Sequence, residues 1–351
     1  DGDLDFITSH QRTGVRVFDN VQGVFADITV SAGVNISQAS AALAYADIDN
    51  DGDSDLFVGT ITGGEMFENQ NGGFVNVTAQ WGLVQSTYDT PFAASFADFD
   101  GDGFVDLYVG RWLDQGRTPN DGADGALNNR LYRNVNGGSF QEMLNAPGGT
   151  DNDDGFTLAV AWFDANDDMR PDLWVVNDFG MFHSSNQLFI NNGPGAAPNE
   201  WDFTDVTDGS GFDIHVFGMS AALGDVDNDG DLDGYTTNFV ENALFIIDGV
   251  TATNEARERN AHCGYIPDPQ PRVGPPIFAE ADSPPFDQFF EDYVRPELNM
   301  HTATGWGAVF FDADQDGDVD LFVPNGQMSA DNFYAQDIYQ PNYLHLNDGT
   351  G

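Results

Sequence analysis

Short apolar runs alternate with clusters of aspartate and glycine along this chain of 351 residues. Each acidic cluster is followed by a β-prone run, such as Leu56–Gly59, and then by a run that ends in asparagine, such as Met66–Asn69. A glycine turn and a third run, such as Phe74–Thr78, often follow, and an apolar run such as Ala42–Ala46 precedes each cluster. Short β-prone runs bounded by turn residues are typical of strands. The pattern therefore predicts four strands per repeat.

The repeat itself predicts the architecture. Five acidic clusters begin at residues 47, 98, 164, 225 and 312, so that successive copies are 51, 66, 61 and 87 residues apart. A sixth, shortened cluster at Asp1–Asp5 fits the last five positions of the others. Periods of this size indicate repeat architectures, and four-stranded sheets repeated radially form a β-propeller. We therefore expect an all-β fold, with one β-propeller domain over residues 1–351 that starts and stops in mid-repeat.

Composition narrows the possible partners. The chain has 58 acidic and 11 basic residues and a formal net charge of −47. Such a charge repels phosphate, which disfavours nucleic acids and anionic membrane surfaces as partners. The sequence contains no apolar run long enough to cross a bilayer. A single cysteine, Cys263, is incompatible with a disulfide framework or a cysteine-based zinc site.

The acidic clusters carry the candidate chemistry. Carboxylates at positions 1, 3, 5 and 9 of a tight loop converge on one point, and oxygen ligands without histidine or cysteine suit Ca²⁺ better than Mg²⁺. Glycine at position 6 permits a sharp turn, whereas position 7 varies, which points to its backbone carbonyl. The EF-hand interpretation fails because position 12, Val58 in the first full copy, is not glutamate. Solvated Asp-Gly turns are the alternative, and five copies with matching flanks disfavour it.

The predicted ligands fall into a shortened loop and five full loops, numbered here in chain order. They are Asp1 and Asp5 in the shortened loop; Asp47, Asp49, Asp51, Asp53 and Asp55 in loop 1; Asp98, Asp100, Asp102, Phe104 and Asp106 in loop 2; Asp164, Asn166, Asp168, Arg170 and Asp172 in loop 3; Asp225, Asp227, Asp229, Asp231 and Asp233 in loop 4; and Asp312, Asp314, Asp316, Asp318 and Asp320 in loop 5. Loop 3 is the weakest copy, because Asn166 replaces an aspartate and Met169 replaces the glycine.

Three further stretches carry a family resemblance: Val176–Gly180 with Asn186–Phe189, Phe217–Asp225, and Gly305–Asp312 with Asn325–Gly326. With the acidic loops, they resemble the FG-GAP/VCBS repeats of integrin α propellers, and more closely the ASPIC/UnbV group that includes the cartilage acidic protein. The resemblance implies a secreted, non-catalytic propeller of seven blades. It also implies Ca²⁺ as the cofactor, at about six sites in this chain.

The other candidate features are weaker. Residues 249–300 form a Pro-rich insertion between loops 4 and 5, which we expect to cap one face or to dock a partner; it carries Cys263, a free thiol on this interpretation, and a short predicted helix at Asp287–Val294. Acidic stretches at Asp114–Asp124 and Asp151–Asp154 indicate solvated surface, with additional Ca²⁺ sites as the alternative. The tryptophans indicate core positions, and Trp112 is the best exposed candidate for stacking on a sugar.

Two classes of function follow. The first is an extracellular structural or adhesion module without enzymatic activity. It would bind copies of itself or matrix and surface ligands, through Ca²⁺ and strand complementation. The alternative is a carbohydrate-binding lectin or carbohydrate-active enzyme on the same scaffold. No nucleophile elbow, phosphate-binding loop or zinc-protease spacing of histidines occurs in the sequence, so catalysis has no positive signal.

Overall fold

A computed structural model describes most of the repeats. The described residues are 4–10, 13–83, 91–112, 127–143, 155–180, 183–196, 200–208, 210–238, 242–247, 305–325 and 342–347. The insertion 249–300 with Cys263, the two acidic stretches of the long loops, and Asp1 all lie outside these residues. The predictions made for them therefore stay predictions.

The all-β prediction is confirmed over the described residues. Twenty-one strands form six antiparallel sheets, three with four strands and three with three. The first sheet contains β1 (Phe6–Thr8), β2 (Arg16–Val21) and β3 (Val24–Asp27); the second β4 (Ser40–Ala46), β5 (Asp55–Thr60), β6 (Gly63–Gln70) and β7 (Gly73–Asn76); the third β8 (Pro91–Ala97), β9 (Asp106–Arg111), β10 (Arg130–Asn134) and β11 (Phe140–Met143). The fourth contains β12 (Phe156–Phe163), β13 (Asp172–Asp178), β14 (Gln187–Pro194) and β15 (Trp201–Asp205); the fifth β16 (Ser220–Gly224), β17 (Asp233–Thr237) and β18 (Ala243–Phe245); the sixth β19 (Val309–Phe311), β20 (Asp320–Val323) and β21 (Tyr343–His345).

Each sheet is a meander in which neighbours along the chain are neighbours in the sheet. Four strands per repeat, as predicted, occur in the second, third and fourth sheets. In the fifth and sixth sheets the positions after β18 and β21 lie outside the described residues. The one described helix, α1 (Thr78–Trp81), is a single turn, and no helix among the described residues has the length and apolarity to cross a membrane.

The chain divides into two compact units, the first of residues 1–162 and 191–203 and the second of residues 163–190 and 204–351. In the first unit, strand β5 is buried along its whole length. Because side chains alternate between the faces of a strand, Leu56 and Val58 pack in one cluster with Val17, whereas Phe57 packs in another with Trp81. Two apolar layers therefore meet on one strand, which explains why β5 has a continuous apolar run rather than alternation.

The second unit has an aromatic core. Trp174 lies in edge contact with Phe212 at 5.2 Å and with Phe245 at 5.4 Å, and the two phenylalanines stack at 4.5 Å between ring centroids. A further cluster of this unit joins Tyr235 of the fifth sheet to Leu321 of the sixth. The prediction that tryptophans are core residues is confirmed for Trp174 and for Trp81 of the first unit.

One face of the first sheet is apolar and open to solvent. Phe6 and Phe25 are 52% and 54% exposed, and the ring centroid of Phe6 lies 6.0 Å from that of Phe18 and 6.2 Å from that of Phe25. The residues at the positions of Phe6 and Phe18 in the second sheet are Leu56 and Phe67, which are buried in the cluster shared with the first sheet. We call Phe6, Phe18 and Phe25 the exposed phenylalanine face.

Candidate metal centre

Each full acidic loop connects the first two strands of its sheet and folds around its first aspartate. In loop 1, Asp47 accepts backbone hydrogen bonds from Asp51 at 3.1 Å and from Gly52 at 2.9 Å. The same two bonds recur at Asp98, Asp164, Asp225 and Asp312. Side-chain acceptors of this kind stabilise tight turns, so the position-1 aspartate itself helps to organise the loop.

The backbone of each loop enters the left-handed region twice. At position 6, Gly52, Gly103, Gly230 and Gly317 have φ between 93° and 101°, and Met169 in loop 3 follows the same path with φ 65°. The sequence predicted this turn from the glycine at position 6, and Met169 adopts the left-handed path despite its cost for a residue with a side chain. The left-handed conformation at position 4 was not predicted; φ there lies between 56° and 72° at Asn50, Gly101, Asp167, Asn228 and Gln315. The sequence carried a signal for it, because Asn, Asp and Gly tolerate this region best and occupy position 4 in four of the five loops.

Position 9 is a buried structural hub. Asp55 accepts the backbone N–H of Ile48 at 2.9 Å with one oxygen, and that of Asn69 at 2.8 Å with the other. Its counterparts Asp106, Asp172, Asp233 and Asp320 are likewise 0% exposed. The sequence predicted these residues only as metal ligands. The structure shows that four of them also fasten their loops to the backbone farther along the chain: Asp55, Asp106, Asp233 and Asp320.

Burial raises the pKa of these hub carboxyls in the metal-free protein. The pKa rises to about 8 for Asp106, about 7 for Asp233 and about 6 for Asp55, because desolvation outweighs the backbone hydrogen bonds to each carboxylate. Neighbouring aspartates of the same loop act in the same direction. A bound cation would reverse this balance, since it favours the ionised form.

Four loops bring three carboxylates together, with ligand oxygens that all lie within 4.8 Å of one another. In loops 1 and 2 the three are positions 1, 3 and 9, and in loops 4 and 5 they are positions 1, 3 and 5. The groups are Asp47, Asp49 and Asp55; Asp98, Asp100 and Asp106; Asp225, Asp227 and Asp229; and Asp312, Asp314 and Asp316. All donors are hard oxygens, which fits Ca²⁺. The remaining predicted ligands, including the position-7 carbonyls, stay predictions.

Loop 3 differs from the others. Its position-3 residue, Asn166, donates to Asp168 at 3.1 Å, and the guanidinium of Arg170 pairs with the same carboxylate. No group of three clustered acidic residues is found in the described part of this loop. The sequence-based ranking of loop 3 as the weakest copy agrees with this geometry.

Loops 1 and 2 are each faced by a charged residue from the third strand of their sheet, and these two residues have opposite charges. The sequence analysis did not single them out. Arg133 precedes Asn134, and its guanidinium pairs with Asp100 and, at 3.2 Å, with Asp102. The equivalent residue of loop 1 is Glu68, whose charge adds to burial in raising the pKa of Asp49. The sequence did contain a signal for this difference, because the residue before the asparagine that ends the second β-prone run is Glu68 in one repeat and Arg133 in the other.

Two other predicted features can be placed. Asp5 accepts the backbone N–H of Asn20 at 3.0 Å, so the shortened loop keeps the position-9 bond.

The choice of Trp112 as the best exposed tryptophan was wrong, because it is half-buried and packs on Phe92 at 5.1 Å. Trp306 is 44% exposed.

Comparison with known proteins identifies the repeat. Residues 1–58 and 47–109 match the FG-GAP-like repeat. The first part of the chain therefore supports an FG-GAP repeat family, and the narrower ASPIC/UnbV and integrin resemblances stay predictions. No curated protein matches the chain.

Two solved structures show a weak likeness. One is the Vibrio cholerae biofilm matrix protein Bap1, at 14% identity and a TM-score of 0.37, covering 70% of this chain and 34% of that one. The other is an Agrocybe aegerita lectin that recognises non-reducing terminal N-acetylglucosamine, at 14% identity and a TM-score of 0.35, covering 70% of this chain and 63% of that one. The chain thus spans less than two thirds of the length of either protein.

Proposed function

We propose that this protein is an extracellular calcium-binding module of FG-GAP-like repeats that acts in adhesion or in building a matrix. Its sheets would be blades of a β-propeller, and its loops would hold Ca²⁺ at up to six sites. The activity is binding rather than turnover, and the ligands are other copies of the chain or extracellular surfaces. A role outside the cell suits Ca²⁺ as the resident ion, because modules of that compartment bind it at millimolar levels.

The observation that carries the proposal is the conserved geometry of the loops within this one chain. Four groups of three aspartates converge, and each is held by the same backbone bonds to positions 1 and 9. Solvated Asp-Gly turns have no physical reason to bring like charges within a few ångströms, since that repulsion destabilises the metal-free fold. Position 1 would supply a carboxylate oxygen to the ion, and position 9 would fix the strand that follows.

Calcium stoichiometry tests the proposal directly. Metal-free protein titrated with Ca²⁺ in a calorimeter should bind at least four ions per chain. The variant Asp227→Ala, which removes position 3 of loop 4, should bind one ion fewer, whereas Asp202→Ala, an acidic residue outside the loops, should bind as many as wild type. Absence of binding at millimolar Ca²⁺ would refute the metal assignment.

Glycan binding is the second candidate, favoured by one observation. Trp306 is a large aromatic ring that is 44% exposed, and exposed indoles serve as platforms for apolar sugar faces and other flat ligands. A glycan array should then give a signal that Trp306→Ala removes and Trp81→Phe, a buried substitution, retains. Turnover of a bound polysaccharide would instead support the carbohydrate-active enzyme.

Self-association is the finer part of the proposal. The last sheet exposes Val309 and Leu344 by 49% and 50%, whereas their counterparts in the second sheet, Ala44 and Met66, are buried against the third sheet. The last sheet therefore presents the kind of apolar face that, between successive sheets of one chain, packs on the equivalents of the exposed phenylalanine face. In self-association, the last sheet of one copy would pack on the exposed phenylalanine face of a second copy. Ca²⁺ bridges between acidic loops, and strand complementation at a sheet edge, would add to this contact.

Light scattering across a Ca²⁺ titration tests the self-association. Wild-type protein at micromolar concentration should form larger particles as Ca²⁺ reduces the repulsion of a chain with net charge −47. The double substitution Phe6→Ser and Phe25→Ser should prevent it. A wild-type chain that stays monomeric from chelator to about ten-millimolar Ca²⁺ would contradict this part alone.

A further inference from the structure

A buried asparagine joins loops 1 and 2, and another joins loops 4 and 5; a third, Asn191, donates its side-chain amide to the carbonyl of Phe99 in loop 2 at 2.8 Å. Asn134, at the end of β10, is 0% exposed. Its backbone N–H donates to Asp106 of its own loop 2 at 2.7 Å. Its side-chain amide donates to the carbonyl of Ile48 in loop 1 at 2.8 Å. Ile48 in turn donates its N–H to Asp55 at 2.9 Å. An unbroken chain of hydrogen bonds therefore links the hub of loop 1 to the hub of loop 2.

The same arrangement recurs in the second unit. Asn347 donates its backbone N–H to Asp320 of loop 5 at 2.9 Å, and its side-chain amide to Val226 of loop 4 at 2.7 Å. Val226 donates its N–H to Asp233 at 2.9 Å. Asn347 is 2% exposed. The same bonds at equivalent positions of both pairs, together with the bond from Asn191 to loop 2, make this a recurrent feature of the repeat.

A second asparagine, at position 4, joins each pair on the solvent side. Asn50 of loop 1 donates to the carbonyl of Gly103 in loop 2 at 2.9 Å. Asn228 of loop 4 donates to the carboxylate of Asp318 in loop 5 at 2.8 Å. The left-handed backbone at position 4 aims both side chains toward the neighbouring loop. Each pair of loops is thus tied by one buried and one exposed asparagine.

We infer that these asparagines couple calcium binding between the two loops of a pair, so that an ion in one loop raises the affinity of the other. This inference rests on the proposed calcium function. The position-2 residues Ile48 and Val226 are buried, so packing restricts their backbone torsions. Ordering the hub aspartate that accepts their N–H therefore also restricts where their carbonyls point. A buried amide that loses that carbonyl is left unsatisfied, which is costly. Order in one loop therefore favours order in its neighbour, with a coupling that works in both directions.

Hydrogen exchange of the calcium-loaded chain tests the coupling, read by mass spectrometry on peptides spanning residues 98–106. Loop 1 is disabled by Asp51→Ala, which touches no hub bond. We expect this change to raise exchange in loop 2 about tenfold, within the usual range of coupling between sites. In an Asn134→Ala background the same change should have no further effect on loop 2. Asn50→Gly, which removes the exposed amide and keeps the left-handed backbone without strain, should weaken the response as well.

The controls separate the possible failures. Exchange in the loop 4 and loop 5 peptides should stay unchanged in every one of these variants, because neither asparagine reaches that pair. If Ca²⁺ does not slow exchange in any loop of wild-type protein, the calcium proposal itself fails. If Ca²⁺ protects both loops but Asp51→Ala leaves loop 2 unaffected, only the coupling is overturned. An equal response with and without both asparagines would overturn it too.

Discussion

Loops 1 and 2 share the same aspartate spacing, the same hub bonds and adjacent places in the first unit, yet they differ in charge where the third strand passes the loop. Glu68 adds a carboxylate beside loop 1, whereas Arg133 pairs with two aspartates of loop 2. Loop 2 thus has a tethered cation that offsets like-charge repulsion, and loop 1 has none. On the proposed calcium function, the ligand motif would set where an ion binds, and one neighbouring side chain would set how much the loop needs it.

Removing a hub should have the largest effect, and the same effect in both loops. Asp106→Ala leaves the backbone N–H groups of Phe99 and Asn134 without their acceptor. At about 1–3 kcal/mol for each buried unsatisfied group, we expect a loss of about 2–6 kcal/mol in the free energy of unfolding. Urea unfolding in chelator isolates this structural part, and Asp55→Ala should match it.

Asp102→Ala is the control for that experiment, because Asp102 bonds only exposed groups of its loop and Arg133. It should cost well under half as much in chelator. A similar cost for Asp102→Ala and Asp106→Ala would show that position 9 has no special structural role.

Loops 3 and 4 extend the comparison. A site saturated about a hundredfold above its Kd adds about 2.7 kcal/mol to stability, so Asp229→Ala should lose about that much of the calcium-dependent stability. Asp168→Ala should lose less, since Asp168 is already paired with Arg170 in a loop without three clustered carboxylates. Calorimetric scans with and without Ca²⁺ measure both. The reverse order would count against the ligand assignment.

Neutralising the charged residue beside each loop should make loops 1 and 2 behave alike. Arg133→Gln should tighten Ca²⁺ binding at loop 2 and lower its stability in chelator, and Glu68→Gln should weaken binding at loop 1. Each effect should be about tenfold in Kd, equivalent to about 1.4 kcal/mol. Calcium titrations of single-site variants in low salt would show it, and effects of the same sign for both substitutions would refute the charge argument.

The hub aspartates Asp106 and Asp55 should also affect stability over different pH ranges in metal-free protein. A carboxyl whose folded pKa is raised stabilises the fold fully below its ordinary value of 3.8, and this stability is lost as pH rises through the folded pKa. The melting temperature without metal should therefore fall as pH rises from about 4 to about 8. Asp106→Asn should reduce the fall in melting temperature as pH approaches about 8, the pKa of Asp106. Asp55→Asn should reduce the fall as pH approaches about 6, the pKa of Asp55.

Saturating Ca²⁺ should reduce that dependence, because the ion binds the ionised carboxylates and releases their protons. Melting curves at matched ionic strength provide the measurement. A metal-free melting temperature that rises steadily from pH 5 to pH 8 would show that these hubs are ionised throughout.

The sequence predicted what depends on local periodicity. Alternating apolar runs and turns were sufficient for the strands, and the spacing of aspartate and glycine was sufficient for the loop positions and for the left-handed turn at position 6. It did not predict the hub role of Asp106, because burial of a carboxylate depends on which strands pack over it. Nor did it predict the reach of Asn134 to Ile48, a contact between residues 86 positions apart in the chain. Such contacts arise from packing between repeats, which periodicity within a repeat does not encode.

The most direct test of a calcium-organised fold is thermal unfolding of the full chain in excess chelator and in millimolar Ca²⁺, with Mg²⁺ as the control ion. Several sites that each add about 2.7 kcal/mol at hundredfold saturation should raise the melting temperature strongly in Ca²⁺. Mg²⁺ should raise it far less, because Mg²⁺ retains its waters. Equal melting temperatures in chelator and in Ca²⁺ would contradict the account.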